Sequence, residues 1–276
     1  MPSDLTLLRR YAECTAFVLL WMACEHYFHL SPIAGQLMGI PLTAAFQLVV
    51  ARRPLQQLWA FDAEKFRLDG KTLALAGGLV AGCGALLWAG SGHAAAGLNQ
   101  RLMFFWLIVA AAIPAALALR EQRAAALRRA LPWLLAAAVL RVVWHAAWQG
   151  GPVIVPSAKL LDFTTTWVCE FVALFLVDEV VFRGALDPHL LRASSGRLHA
   201  WCSAVFVSIL WSIWHLPAYN PHAKGFLALF SGLAPFYIGV LMMGVLLSFC
   251  ARKARTLAPT SLMHAFGNAY VLALMK

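Results

Sequence analysis

Charge is what this chain has least of: 12% of its 276 residues are Asp, Glu, Lys or Arg, about half the ~25% of an ordinary soluble domain. That shortfall excludes a water-soluble fold for most of the chain. Cys-x-x-Cys is absent, and the six cysteines (Cys14, Cys24, Cys83, Cys169, Cys202 and Cys250) all fall in or at the ends of apolar segments. They read as reduced packing residues, with no zinc or redox motif among them. His-Glu-x-x-His is missing, which removes the standard zinc-protease helix. Gly-x-Ser-x-Gly, the Rossmann fingerprint and the Walker sequence are missing too. No repeat suggests the duplicated halves of a transporter.

What remains is apolar: 62% of residues are hydrophobic and the mean hydropathy is +0.73. At about 20 residues per crossing, the pattern predicts helices near 12–30, 33–51, 73–90, 101–119, 130–148, 161–182, 199–217, 226–250 and 256–275. The expected fold is therefore all-α, a polytopic membrane bundle of about nine transmembrane helices in a lipid bilayer. A net charge of +10 would suggest nucleic acid in a soluble protein, but here the placement of the charges matters more. With a cytoplasmic N-terminus, 17 of the 22 Lys and Arg residues fall on the cytoplasmic side, as the positive-inside rule requires. Nucleic acid is not an expected partner. Arg9 and Arg10 precede an apolar run with no clear small-residue cleavage site, so the first helix reads as retained. A composition rich in Ala, Leu, Trp and Arg points to a multi-pass protein of a bacterial inner membrane.

Against that background Asp178, Glu179 and Arg183 need a reason, because an ionisable residue at the centre of a membrane helix costs roughly 2.5–3.5 kcal/mol on insertion scales and usually marks a site. Glu179 and Arg183 are four apart, acid first, the favourable orientation for a pair on one face. Two later segments repeat the spacing: Trp211 with His215, then His264 with Asn268. Together they supply parts for hydrolysis: carboxylates to activate water, a histidine to assist, and donors for an oxyanion. A straight sixth helix would keep Glu179 and His215 at opposite ends of the bilayer. The spacing therefore predicts that helix six runs on past Arg183, that residues 186–200 form a helical hairpin, and that Pro217 and Asn220-Pro221 end the next helix.

The chain divides into residues 1–160, without an assignable motif, and residues 161–276, which carry the candidate site. The loop 52–71 reads as an interfacial amphipathic segment or a solvated loop. Arg141 and His145 share a face of helix five, and Glu170 is the expected partner of Arg141. Glu25, His26 and His29 read as interfacial polar residues and not as metal ligands.

Asp178-Glu179-Val-Val-Phe-Arg183-Gly184 resembles a Glu-Glu-x-x-x-Arg motif, Trp211…His215 a Phe-x-x-x-His motif, and His264…Asn268 a His-x-x-x-Asn motif. In this order on successive late helices, they resemble the CAAX prenyl endopeptidase and bacteriocin-processing family (CPBP, Abi) of glutamic-type intramembrane proteases, over about residues 165–275. The resemblance implies an intramembrane endopeptidase without a cofactor, acting on a protein or peptide precursor in or at the membrane. It assigns the water-activating base to the first acid, Asp178, with a histidine assisting, and the oxyanion donors to His264 and Asn268. Arg183 and Trp211 would support the site.

The sequence departs from the pattern in two places. Asp178 is one methylene shorter than the family glutamate, which leaves activity in question or passes the base role to Glu179. Trp211 replaces a phenylalanine, with its packing role kept. Other readings stay open: a zinc-dependent protease with Glu179, His215 and His264 as ligands, a catalytically silent scaffold or immunity protein, a charge network that only fixes helix packing, or a transporter.

Overall fold

The computed structural model describes residues 4–61, 68–89, 98–149, 154–192, 196–216 and 234–275. Among them the chain is helical, with one isolated bridge, Ala60 to Thr256, as its only β pairing. The long helices are α1 (Asp4–Tyr27), α2 (Pro32–Ala45, prolonged by a π turn over Phe46–Val50), α3 (Gly70–Ala89), α4 (Leu98–Arg120) and α5 (Ala124–Gln149). After them come α6 (Leu160–Leu174), a π-helical stretch (Phe175–Leu186), α7 (Asp187–Leu191), α8 (Arg197–Trp214), α9 (Ala234–Ala254) and α10 (Ala258–Met275). Each apolar run read from the sequence overlaps one of these. The expected start of the eighth helix, 226–233, and the prolines 217 and 221 lie outside the described residues.

Among the described residues five helices are long and apolar enough to cross a membrane, and six are if the bent pair 157–174 and 177–191 counts as one span. Nine spans were expected; α1, α8 and α10 do not reach that apolarity among the described residues. On α8 and α10 many polar residues face inward. On α10 Thr260, Ser261 and His264 are buried, and on α8 Ser203, Ser208 and Ser212 are, so lower hydropathy here reflects internal hydrogen bonding. The outer surface is the reverse: Leu131, Leu135, Val139 and Val143, each four apart on α5, are all exposed. An apolar stripe turned outward along a helix suits a lipid surface.

α9 packs between α5 and α8, α10 lies along α6, and α3 pairs with α4, which also reaches α6. Small residues allow the close approaches. A Cβ at Gly244 of α9 would meet Ser208 and Trp211 of α8, and one at Gly239 would meet the indole of Trp144 on α5, the close packing that small residues permit between membrane helices. The cysteines are all free thiols, four of them buried.

The stretch 55–61 is packed on the bundle. Leu55–Leu58 forms a 3₁₀ turn, Leu58 and Ala60 are buried, and Phe61 N–H and Leu257 N–H bond to the carbonyls of Arg255 and Trp59 at 3.1 Å each. Its apolar residues are used against the bundle, with Gly184 of the π stretch packed directly on the Leu58 carbonyl. Residues 62–67 lie outside the described residues. Arg141 Nε donates to the Gly267 carbonyl of α10 at 3.0 Å, and Glu170 lies next to Asn268. The α6–α10 register explains this. Ser261 Oγ donates to the Phe171 carbonyl (2.8 Å) and Trp167 Nε1 to the Leu262 carbonyl (2.9 Å), which sets Glu170 facing α10.

Candidate active site

The π-helical stretch Phe175–Leu186 organises the site. α6 ends at Leu174, the hydrogen-bond register widens, and the two halves of the rod meet at 42°. π-helical insertions of this kind are uncommon and concentrate at functional sites. Helix continuation past Arg183 is thus present as the sequence predicts, while the bend brings Asp178 and Glu179 under the ends of α8 and α10. The turn between α7 and α8 includes residues 193–195, outside the described residues, but His199 Nε2 contacts the Leu190 carbonyl at 2.9 Å and holds the two helices together.

All five expected catalytic residues and both supporting ones converge. Glu179 is 0% exposed, and its Oε1 meets Arg183 Nη1 at 3.4 Å and His264 Nδ1 at 3.0 Å. Asp178, 3% exposed, accepts the indole N–H of Trp211 through Oδ1 at 3.1 Å. Trp211 is the hub. Its ring lies 4.2 Å from the Arg183 guanidinium carbon and is met edge-on by His215 and His264 at centroid distances of 5.0 and 5.1 Å. The guanidinium over the indole face is a cation–π contact, so Arg183 is shared between a carboxylate and a ring.

The acceptors fix the tautomers. His215 closes the C-terminus of α8 and its Nδ1 lies 2.8 Å from the Trp211 carbonyl. A carbonyl only accepts, so Nδ1 carries the proton and Nε2 of the neutral ring is the acceptor. His264 Nδ1 faces a carboxylate and is likewise the donor; when this ring is protonated, Nε2 becomes a donor as well.

Arg141, Trp211, His215, Met243, His264 and Asn268 line a cleft of ≈ 50 Å³, room for a few water molecules. The carboxylates do not line it. Asp178 and Glu179 stand behind Trp211 and His264, acting on the cleft through them. Half-buried beside them is a third acid, Glu170 of α6, which lies next to Asn268 and whose Oε2 has no hydrogen bond among the described residues. Sequence reasoning missed this role. The signal available was that Glu170 lies eight residues before Asp178, two turns along the same rod. Among the described residues no group of three or more His, Cys, Asp or Glu is placed to hold a metal ion.

Comparison with curated proteins and with solved structures gives no match. Residues 160–270, the stretch that carries the three acids, Arg183, Trp211, both histidines and Asn268, match the model of the type II CAAX prenyl endopeptidase Rce1-like family.

Proposed function

We propose that the chain is an intramembrane endopeptidase that cleaves a protein or peptide precursor held in or at the membrane. The observation that carries this reading is that the acids of the π stretch back, through Trp211 and His264, the cleft that the histidines of α8 and α10 line. The family match over the same residues supports it.

The chemistry follows from the donors and acceptors. A water in the cleft gives a proton to His215 Nε2, and Asp178, beside that ring, offsets the charge that develops on it. The hydroxide oxygen bonds to the scissile carbonyl carbon. The resulting oxyanion is received by His264 Nε2–H, in the protonated ring that Glu179 holds, and by the Asn268 amide. As the C–N bond breaks, the proton on His215 passes to the leaving amine. Glu170 orients Asn268, and Arg183 keeps Glu179 ionised. A peptide does not fit in a volume of ≈ 50 Å³, so substrate entry requires α8, α9 or α10 to move apart.

A second reading, a catalytically silent scaffold of the same fold, is favoured by one observation: both acids are almost completely buried and neither lines the cleft. Co-expression with membrane-anchored precursors separates the two. Cleavage by the wild type, lost in Asp178→Ala, His215→Ala and His264→Ala proteins that still insert, supports the protease. A wild type that cuts no precursor while the variants keep full cellular function supports the scaffold.

A further inference from the structure

The basic end of the bundle holds a second cavity, ≈ 170 Å³, lined by Arg123, Arg129, Arg255, Glu121, Ala60 and Thr256. The three arginines come from separate places: the turn before α5, the first turns of α5, and the turn joining α9 to α10. Set against Glu121, they leave the lining with a net charge of +2. Arg255 has φ 61°, a left-handed conformation that disfavours side chains and is usually given to glycine at a helix C-terminus. Its backbone is fixed on both sides: the Arg255 N–H bonds to the Ala251 carbonyl at 2.8 Å, and its own carbonyl accepts from Phe61 at 3.1 Å. Thr256 Oγ1 on the rim bonds to Gln122 Oε1 at 2.9 Å. An arginine held where the backbone favours glycine suggests a task for its side chain.

α5 supplies the second half of the argument. Arg123 heads a series at four-residue spacing, Leu127, Leu131, Leu135, Val139 and Val143, every member of which is exposed. Residues four apart are neighbours on an α-helix surface, each step turning about 40° round the axis, so the series winds along the exposed side of α5. The cavity that Arg123 lines thus lies at the head of a winding apolar surface on the same helix.

We propose that this cavity binds the phosphate of an anionic phospholipid headgroup, with an acyl chain lying along the α5 stripe. Guanidinium forks match phosphate oxygens two at a time. The N-terminal end of α5 adds the positive end of a helix dipole. A free phosphate would use the arginines but not the apolar surface.

Titrating the purified full-length protein with short-chain phosphatidylglycerol, short-chain phosphatidylcholine or inorganic phosphate, and following thermal unfolding, tests this. Phosphatidylglycerol should stabilise the wild type, and phosphatidylcholine and inorganic phosphate should not. Each arginine near a membrane surface contributes about fivefold in affinity, so Arg123→Gln/Arg255→Gln should bind phosphatidylglycerol ~25-fold more weakly. Arg128→Gln/Lys253→Gln, which removes the same charge at the same end but outside the cavity, should bind as the wild type does. Arg123→Lys, which keeps the charge and loses the fork, should fall between, and serves if the double variant is unstable. Equal weakening in both double variants overturns the site in favour of a diffuse basic surface. Stabilisation by inorganic phosphate with the same arginine dependence overturns the lipid as its source.

Discussion

Trp211 donates its indole N–H to Asp178 Oδ1 across 3.1 Å, joining the two positions at which the sequence departs from the motifs it resembles. A phenylalanine at 211 has no N–H to give. The shorter acid and the hydrogen-bonding aromatic therefore act as a pair, the indole fixing a carboxylate that sits one methylene further back.

The pair makes a reciprocal prediction. Trp211→Phe should lower precursor cleavage by about 10²-fold, the loss expected of a misplaced reacting group. Asp178→Glu in the native background should also lose activity, because the longer side chain meets the indole. Asp178→Glu/Trp211→Phe should recover much of it. The cleavage rates of the four proteins decide the matter; a double variant as inactive as the product of the singles would show that the two positions are independent.

His215, Asn268 and Glu170 are expected to differ in how they fail. His215→Ala removes the proton acceptor and should cost ~10²–10⁴ in rate. Asn268→Ala removes an oxyanion donor and should cost ~10²–10³ in kcat with KM little changed. Glu170→Gln should give a smaller kcat loss than Asn268→Ala, since it disturbs only the orientation of that amide. Steady-state kinetics on one precursor peptide measures all three.

Much of this was legible in the sequence, and for a physical reason. Apolar runs of membrane length mark helices, and a four-residue spacing marks residues on one helix face. Glu179 with Arg183 therefore stood out, as did Trp211 with His215 and His264 with Asn268. Relations between helices were not legible in the same way. Nothing local distinguishes the wider register of Phe175–Leu186 from an α-helix, and that register resolves the apparent separation of Glu179 from His215. Arg141 was assigned to Glu170 on depth alone; the α6–α10 hydrogen bonds turn Glu170 toward Asn268, and Arg141 Nε donates to the Gly267 carbonyl. The segment 55–61 carried both charge and aromatics nearby, and only the contact with Gly184 shows that it plugs the bundle.

Arg183 and Glu179 are both 0% exposed, paired at 3.4 Å. Removing one partner of a buried pair leaves the other charge uncompensated, at a cost of about 3–5 kcal/mol. Arg183→Met should thus lower thermal stability sharply in detergent or bilayer. Glu179→Gln/Arg183→Met, which removes both charges, should restore a large part of that stability without restoring cleavage. A double variant no more stable than Arg183→Met would mean that the guanidinium serves mainly through Trp211, over which it also lies.

Two glycines should separate on substitution. A Cβ at Gly184 would run into the backbone carbonyl of Leu58, which cannot rotate away, whereas one at Gly267 would sit 3.5 Å from Arg141 Nε, an ordinary contact. Gly184→Ala should destabilise by about 1–3 kcal/mol, as overpacking does. Gly267→Ala should be neutral or slightly stabilising, since alanine is the better helix former. Thermal unfolding of the two variants side by side tests whether the 55–58 turn is seated on the π stretch.

Outside the membrane the clearest titrating group is Asp69, which precedes α3. Its carboxyl is held down to about 2, first by the Thr72 backbone N–H (2.9 Å), then by Arg120 Nη1 (2.5 Å) and the Thr72 hydroxyl (2.9 Å), all on Oδ1. A depressed carboxyl stabilises the folded state when ionised. Its contribution is complete above the unfolded value of about 3.9 and fades as pH falls toward the folded value near 2. Wild-type stability should therefore drop between about pH 4 and pH 2, and the part of that drop due to this group should vanish in Asp69→Asn, which is less stable at neutral pH and less sensitive to acid. Thermal unfolding of both proteins across that range, at low and high salt, measures the difference. Identical acid slopes would place the contribution of the cap in its geometry and not in its charge.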